Sequence, residues 1–227
     1  MQTEGGIDSP GPIPNGYELE PAAARIGAVN TVLVQDDGRT RGLNTDGLGF
    51  IANLRAQAPA WRPETGPVLL LGAGGAARGI GVALLGAGVP SLRLTNRTQD
   101  RAAALAAELA AFGRPVETVR WSQRSEATAE VTLLVNCTSL GMVGQPTLEM
   151  QLGGLPPAAV VADLVYVPLE TPLLAAARAT GHPVVDGLGM LLHQAVPGFS
   201  HWGGVAPTVD AALYEIVLAG LAAGGAR

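Results

Sequence analysis

From residue 67 onward, the chain alternates short apolar runs typical of β-strands with longer segments that have helical spacing. The apolar runs, in chain order, are VLLL, SLRLTN, VETVRW, VTLLVNCT, AAVVADLVY and PVVDG. Segments rich in Ala and Leu separate most of them, and a short polar helix is expected after VETVRW. Strands that alternate with helices of about 10 to 15 residues indicate βαβ units. The pattern predicts an α/β fold with a Rossmann-like, doubly wound parallel sheet.

The first sixty residues and the last forty follow other patterns. Residues 1–20 are rich in Gly and Pro, which predicts a disordered leader. The runs AVNTVLVQ and RTRGLN are joined by an Asp-Gly turn at Asp37-Gly38, which predicts a β-hairpin. A helix over GLGFIANLRAQA should end before Pro59, and two closing helices are expected over MLLHQAV and DAALYEIVLAGL.

Composition and charge exclude several functional classes. The 227 residues carry a net charge of −5, and all 14 basic residues are Arg, because the sequence contains no Lys. An acidic chain is a poor partner for nucleic acid. No apolar run reaches the roughly 18 to 20 residues of a membrane helix, so a cytoplasmic protein without membrane contact is expected. The single cysteine, Cys137, excludes an internal disulfide and a zinc site built from cysteines.

The strongest motif directly follows the run VLLL. Residues 72–77, GAGGAA, match the pattern G-x-G-x-x-[GA] between a predicted strand and a predicted helix. Such glycines allow a tight turn and let backbone N–H groups approach a pyrophosphate at the start of the helix. A glycine-rich turn that serves only helix packing is the alternative.

A second motif, NRTQDR at 96–101, follows the next predicted strand. Enzymes that use NAD place an acidic residue at this point for the ribose 2′-hydroxyl, and here that acid is absent. Arg97 and Arg101 can instead bind a 2′-phosphate, with Thr98 supplying a hydroxyl, which points to NADP. The alternative is a solvated helix start with incidental arginines.

Three other polar positions have both a functional and a structural interpretation. Asn44 and Asp46 lie where the hairpin ends and a helix begins, and for this tetrapeptide taken alone helix capping is the better explanation. Asn30 interrupts an apolar strand and needs a polar partner. Met190 and Gln194 are four residues apart on a predicted helix and share a face, although core packing also accounts for the methionine. The three histidines lack metal-binding spacing, and no G-x-S-x-G motif is present.

Taken together, these motifs resemble the shikimate dehydrogenase family. The resemblance runs from about Glu20 to about Leu221. It rests on seven segments in order: AAARIGAVNTV, GLNTDGLGF, LLLGAGGAARG, LTNRTQDRA, NCTSLGM, DLVYVPLETPLL and GLGMLLHQA. The resemblance implies an oxidoreductase that reduces 3-dehydroshikimate to shikimate with NADPH, in aromatic amino acid biosynthesis through chorismate.

The resemblance also implies roles for particular residues. Asp46 would be catalytic and, with Asn30, would meet the substrate hydroxyls. Gln194 and Tyr166 would complete the substrate site. The positions matching the family's NADP site are Gly72, Gly74, Gly75, Ala76, Asn96, Arg97, Thr98, Arg101 and Met190.

The sequence departs from the family pattern at its start. Family members begin with a substrate-binding domain that supplies a catalytic lysine, and nothing before Glu20 resembles it. We therefore expect four parts: the leader 1–20, a remnant of the substrate lobe with the first linker helix (21–60), the NADP-binding domain (67–187) and the closing helices (188–227). We also expect very slow turnover, and a homodimer or a second chain that covers apolar surface on the hairpin and on the closing helix around Leu213, Ile216 and Val217.

Two alternatives to an active enzyme stay open at this point. One is a non-catalytic NADP-binding fragment or partner module. The other is a different Rossmann-type reductase, of the methylene-tetrahydrofolate or glutamyl-tRNA type, which would need other residues around NTDG.

Overall fold

The structure, a computed structural model, describes residues 17–224. Its strands are β1 (Tyr17–Leu19), β2 (Thr31–Val34), β3 (Thr40–Leu43), β4 (Val68–Leu71), β5 (Leu92–Asn96), β6 (Val116–Arg120), β7 (Leu133–Asn136), β8 (Val160–Asp163) and β9 (Val184–Val185). Its α-helices are α1 (Pro21–Ile26), α2 (Asp46–Gln57), α3 (Gly75–Ala87), α4 (Gln99–Leu109), α5 (Pro172–Ala179), α6 (Gly187–Gly203) and α7 (Ala211–Gly224).

Six strands form one parallel sheet in the order β6-β5-β4-β7-β8-β9. Numbered along the chain within this sheet, the order is 3-2-1-4-5-6, which is that of the doubly wound dinucleotide-binding fold. The central strands β4, β7 and β8 are buried along their whole length. Burial on both faces explains why they read as continuous apolar runs. The predicted fold class is confirmed.

Alternate residues of β4 face two separate layers of core. Val68 and Leu70 pack with residues of α2, α3 and α4, whereas Leu69 and Leu71 pack with α5 and the segment 140–159. This alternation follows from the period of two in a strand. The sheet therefore has helices on one face and helix α5 with a long connection on the other.

A smaller sheet of three strands has the order β1-β3-β2. Strands β2 and β3 are antiparallel, with Thr31 opposite Leu43 and Val34 opposite Thr40, so the predicted hairpin is present. Strand β1 pairs in parallel with β3. The prediction of a disordered leader over 1–20 is therefore wrong for Tyr17–Leu19, because pairing with β3 supplies backbone hydrogen bonds that local sequence does not reveal. Residues 1–16 lie outside the described residues.

Helix α2 follows the small sheet along the chain and packs closely against two other helices. A Cβ atom placed on Gly47 would lie 2.7 Å from Cβ of Ala83 on α3. A Cβ atom on Gly49 would lie 2.7 Å from both N and Cβ of Gln194 on α6. Only glycine fits at these two contacts, which bring α3 and α6 close to the start of α2.

Two expected helices differ in detail from the structure. Helix α6 begins at Gly187, where the Asp186 carboxyl accepts hydrogen bonds from the N–H groups of Leu188 (3.0 Å) and Gly189 (3.2 Å), and it continues past Pro197. The predicted polar helix after β6 is instead two 3₁₀ turns, Trp121–Gln123 and Glu126–Thr128. There the Arg124 and Thr128 side chains donate to the carbonyls of Trp121 and Ser125, both at 2.7 Å, and so satisfy groups that a continuing helix would use.

None of the helices within residues 17–224 combines the length and apolar character needed to cross a membrane.

Candidate functional site

The loop between β4 and α3 requires glycine at its first position. Gly72 has a φ of +111°, in the region that residues with a side chain rarely adopt. A Cβ atom there would lie 3.1 Å from Cγ2 of Thr138 and 3.2 Å from the carbonyl oxygen of Cys137. The Gly72 N–H also donates to the carbonyl of Thr95 at 2.7 Å. The turn is thus held between the ends of β5 and β7.

The next glycines leave the start of α3 open. Gly74 and Gly75 are exposed, and no atom lies within 4 Å of a Cβ placed on either. Gly74 is the N-cap residue and provides no side-chain hydrogen bond to the first turn of the 13-residue helix. Free N–H groups and the helix dipole at this end favour an anion such as a pyrophosphate. The open space above both glycines leaves room for one.

A basic, exposed turn follows the neighbouring strand β5. The Asn96 side chain donates to the carbonyl of Thr98 at 2.9 Å and shapes the turn before α4. Arg97, Thr98 and Arg101 are exposed, and neither arginine forms an ion pair with any residue in 17–224. Because β4 and β5 are adjacent and parallel, this turn lies at the same edge of the sheet as the glycine-rich loop. The site therefore suits a dinucleotide that carries an additional phosphate on its adenosine half.

Asn30 and Asp46 are in direct contact. The Asn30 amide nitrogen donates to Asp46 Oδ1 at 2.8 Å. Asn30 Oδ1 accepts from the backbone N–H of Thr45 at 3.0 Å and from the Thr45 hydroxyl at 3.2 Å. Asn44 accepts from the N–H of Asp46 at 3.1 Å and donates to the carbonyl of Ala28 at 3.3 Å. Asn44 therefore shapes the turn, whereas the Asp46 carboxyl binds Asn30.

The Asn30–Asp46 pair lies beside the helix that starts at the glycine-rich loop. A Cβ atom on Gly79 would be 3.8 Å from Cβ of Asp46, and Gly47 packs against the carbonyl of the same Gly79. Gly79 is four residues, or about one helical turn, beyond Gly75. Asn30 and Asp46, which are expected to contact substrate, therefore lie next to α3, the helix that directly follows the glycine-rich loop.

The remaining predicted substrate and cofactor residues occupy three different places. Gln194 packs against Gly49, one turn along α2 from Asp46. Met190 lies one turn earlier on α6, half-buried against the main core. Tyr166 is exposed on the loop after β8. The roles predicted for these three residues remain predictions.

Sequence reasoning missed a largely buried polar cluster beside the carboxyl ends of β7 and β8, which we call the Asp163 network: Asn136, Thr138, Asp163 and Thr171. Asp163 Oδ1 accepts from the Asn136 amide at 2.9 Å, and Oδ2 accepts from the Thr171 hydroxyl at 2.7 Å. Burial raises the pKa of Asp163 to about 6, although these hydrogen bonds act in the opposite direction. The available signal was a polar residue ending each of two apolar strands, LLVN and VVAD.

Two other features carry no sign of chemistry. Burial raises the pKa of the Cys137 thiol and so disfavours the thiolate, which is the nucleophilic form. A groove of about 740 Å³ between α1, α2, α3 and α6 is lined mainly by small and apolar side chains. The glycine-rich loop is not part of its lining.

The strand order, the glycine-rich loop and the basic turn define a dinucleotide-binding protein of the doubly wound α/β class. Residues 56–143 match the family model described as shikimate / quinate 5-dehydrogenase. The NADP⁺-dependent shikimate dehydrogenases of Paramagnetospirillum magneticum and Rhodospirillum rubrum are 55% and 57% identical to the chain. Each match covers 88% of this chain and 71% of the relative. The chain belongs to the shikimate dehydrogenase family.

Solved structures agree with this assignment. The shikimate 5-dehydrogenase of Thermus thermophilus, solved in complex with NADP(H) and shikimate, is 41% identical, with a TM-score of 0.70 over 85% of this chain and 68% of that chain. The quinate dehydrogenase of Corynebacterium glutamicum, solved in complex with NAD, is 35% identical, with a TM-score of 0.81 over 89% of this chain and 71% of that chain. The same fold thus occurs in relatives named for two related substrates.

Proposed function

We propose that this chain is a shikimate dehydrogenase-type oxidoreductase that binds NADP and acts on shikimate and 3-dehydroshikimate. The observation that carries the proposal is the 2.8 Å Asn30–Asp46 contact beside α3, the helix that begins at the glycine-rich loop. A polar pair for substrate and a phosphate-binding loop thereby share one helix. A cytoplasmic location, and a role in the chorismate pathway to aromatic amino acids, are part of the same proposal.

For the cofactor, the residues fit NADP better than NAD. Gly74, Gly75 and Ala76 would hold the pyrophosphate through backbone N–H groups at the start of α3. Gly72, whose N–H donates to the carbonyl of Thr95, would contribute to the cofactor site by shaping the turn. The turn of Asn96, Arg97, Thr98 and Arg101 would hold the 2′-phosphate through charge-assisted hydrogen bonds. Met190 would pack near the nicotinamide. When bound, NADPH supplies the hydride that reduces the ketone.

For the substrate, the Asn30–Asp46 pair offers both a donor and an acceptor. Asn30 donates to Asp46 Oδ1, and that hydrogen bond leaves Asp46 Oδ2 to accept from a substrate hydroxyl. Gln194, held against Gly49, would reach the same space from α6, and Tyr166 would approach from the loop after β8. Asp46 is the residue to which we assign a catalytic role, because it would lie at the hydroxyl that is oxidised.

The rate of the reaction depends on a group that these 227 residues do not contain. In the family, the aspartate acts with a lysine, and the sequence has no Lys. A positioned acid or base contributes about 10² to 10⁴ in rate. We therefore propose that this chain, tested alone, binds NADPH but turns over more slowly by that factor than a relative that contains the lysine.

A single kinetic comparison tests the proposal. The rate of NADP⁺ reduction at saturating shikimate would be measured for this chain and, as a control, for the Rhodospirillum rubrum relative. We expect a rate that is lower by about 10² to 10⁴ and that falls further in Asp46→Asn. A rate within about tenfold of the control would contradict the role given to the lysine and imply another proton donor, such as Tyr166.

The second candidate is a non-catalytic NADP-binding module, which the absence of Lys favours. Both candidates predict NADPH binding, but only the first predicts shikimate oxidation that depends on Asp46. Tight NADPH binding together with a rate that Asp46→Asn leaves unchanged would support the module.

We also propose that a second copy of the chain covers an apolar surface beside the small sheet. Within residues 17–224, β2 pairs only with β3 and so forms an edge of the small sheet. Val34, at the end of β2, is 76% exposed. Trp202 on α6 is 70% exposed, and α6 reaches this sheet at Gly198, where a Cβ atom would be 3.6 Å from Thr31. An unpaired edge strand with apolar side chains favours pairing with another strand.

The expected apolar surface comprised the hairpin and one face of the last helix, and the structure differs from that expectation on the helix. Ile216 is 70% exposed, whereas Leu213 and Val217 are half-buried. The strand β2 and the end of α6 thus contribute more to the patch than α7 does. Sedimentation velocity at micromolar concentration should show a dimer, and a monomer under these conditions would contradict the proposal.

A further inference from the structure

The loops that follow β7 and β8 are joined to each other by several hydrogen bonds. The N–H of Val143 donates to the carbonyl of Val167 at 3.0 Å. The Asn136 amide donates both to Asp163 Oδ1 and, at 3.1 Å, to the carbonyl of Leu140. The Val165 N–H donates to Asp163 Oδ1 at 3.0 Å. Asn136 and Asp163, at the ends of β7 and β8, therefore hold both loops in position through these hydrogen bonds.

Thr171 connects these two loops to the start of α5. Its hydroxyl donates to Asp163 Oδ2 at 2.7 Å and accepts from the N–H of Leu174 at 3.3 Å, so it is also the N-cap of the helix. A Cβ atom on Gly141 would lie 3.7 Å from Cβ of Thr171. Thr171 is fully buried, and among these contacts Asp163 Oδ2 is the acceptor for its hydroxyl.

The loop after β7 also contacts the glycine-rich loop. Thr138 donates to Asn136 Oδ1 at 2.7 Å, and its methyl group lies 3.1 Å from a Cβ position on Gly72. The Asp163 network thus continues as far as the first glycine of the cofactor-binding motif. The strand order of the sheet reverses between β4 and β7, and the Asp163 network lies in the half formed by β7, β8 and β9.

A dinucleotide in this fold binds across the two halves of the sheet. The adenosine half lies over β4, β5 and β6, where Arg97 and Arg101 are found, so the nicotinamide half lies over β7, β8 and β9. We infer that the Asp163 network positions the wall against which the nicotinamide half of NADP binds. The inference rests on the proposed function, because it requires NADP in this cleft.

The test compares two ligands and one pair of matched variants. NADPH contains both halves of the dinucleotide, whereas adenosine 2′,5′-bisphosphate lacks the nicotinamide half. Thr171→Val removes the hydroxyl and keeps the shape, and Thr171→Ser keeps the hydroxyl. Thr180→Val is the control, because Thr180 lies just beyond the other end of α5 and donates only to carbonyls of its own turn, Ala176 and Ala177. Dissociation constants would be measured by fluorescence titration and calorimetry.

We expect Thr171→Val to weaken NADPH binding by about five- to tenfold, because the variant loses the hydrogen bond to Asp163 together with the N-cap hydrogen bond from Leu174. Binding of adenosine 2′,5′-bisphosphate should stay within about twofold of the unmodified chain. Thr171→Ser and Thr180→Val should resemble the unmodified chain with both ligands. Rescue by serine distinguishes positioning from a general loss of stability.

Unchanged NADPH binding in Thr171→Val, or equal weakening of both ligands, would overturn the inference and leave the proposed function standing. If the unmodified chain binds neither ligand, the proposed function fails, and the inference fails with it. Should Thr171→Val not fold, the half-buried Thr138→Val breaks the same network at its other end. The same selective loss of NADPH affinity is expected there, and its absence would count against the inference equally.

Discussion

Replacing Asp163 with Asn should change how the stability of the protein depends on pH. The Asp163 side chain is buried, with 2% of its surface exposed, and burial raises its pKa from 3.8 to about 6. Between these two values the native state holds a proton that the unfolded state has released. The unfolded state then binds fewer protons, so the free energy of unfolding falls as the pH rises through this window.

The size of this effect follows from the two pKa values. A rise from 3.8 to about 6 corresponds to about 3 kcal/mol of lost stability above pH 6. Of this, about 2 kcal/mol falls between about pH 4.5 and 7.5. Asparagine carries no charge to desolvate and can still accept from Asn136 and Val165 through its oxygen. Relative to the unmodified protein, Asp163→Asn should therefore gain about 2 kcal/mol across this range.

Urea denaturation at about pH 4.5 and at about pH 7.5 measures the free energy of unfolding of Asp163→Asn and of the unmodified protein, and so gives the difference between them at each pH. The control is Asp36→Asn, which removes one negative charge at an exposed position in the hairpin turn. The same difference between Asp163→Asn and the unmodified protein at about pH 4.5 and about pH 7.5 would contradict a raised pKa for Asp163. A variant that loses stability relative to the unmodified protein as the pH rises would contradict it as well, because the three hydrogen-bond donors to Asp163 would then outweigh its burial.

Two further predictions concern packing and association. Gly49→Ala should lower the free energy of unfolding by about 1 to 3 kcal/mol in urea denaturation, because its Cβ would lie 2.7 Å from Gln194. The control is Gly86→Ala, at an exposed position with no atom within 4 Å of the added Cβ, which should leave the free energy of unfolding equal or raise it by up to about 1 kcal/mol. A comparable loss of stability in both variants would contradict the close packing of Gly49 against Gln194. Val34→Lys, on the edge of β2 that has no partner strand within residues 17–224, should shift sedimentation velocity profiles from dimer toward monomer. An unchanged profile would place the interface elsewhere.

Much of the fold could be predicted because local patterns determine it. The six apolar runs coincide with the six parallel strands of the structure, and the Asp-Gly turn at 37–38 connects β2 to β3 as predicted. The glycine-rich loop could be recognised because a strand directly precedes it and a helix directly follows it. In each case the informative residues are neighbours along the chain.

The features that could not be predicted depend on residues distant in sequence. Strand β1 forms because Tyr17–Leu19 pairs with β3, more than twenty residues later, in a region whose composition disfavours regular structure. The Asn136–Asp163 hydrogen bond joins residues 27 positions apart. The contact of Gly49 with Gln194 joins two helices from opposite ends of the chain. The family resemblance implied one site for Asn30 and Asp46, but only the structure gives their contact with each other and with α3.

The most direct test of the account is the ratio of the affinities for NADPH and NADH. A charge-assisted hydrogen bond contributes about 1.5 to 3 kcal/mol, so even one such contact from Arg97 or Arg101 to the 2′-phosphate predicts a preference for NADPH of about tenfold or more. The double substitution Arg97→Ala and Arg101→Ala should remove most of that preference while leaving NADH binding close to its original value. Equal affinity of the unmodified chain for the two cofactors would contradict the account.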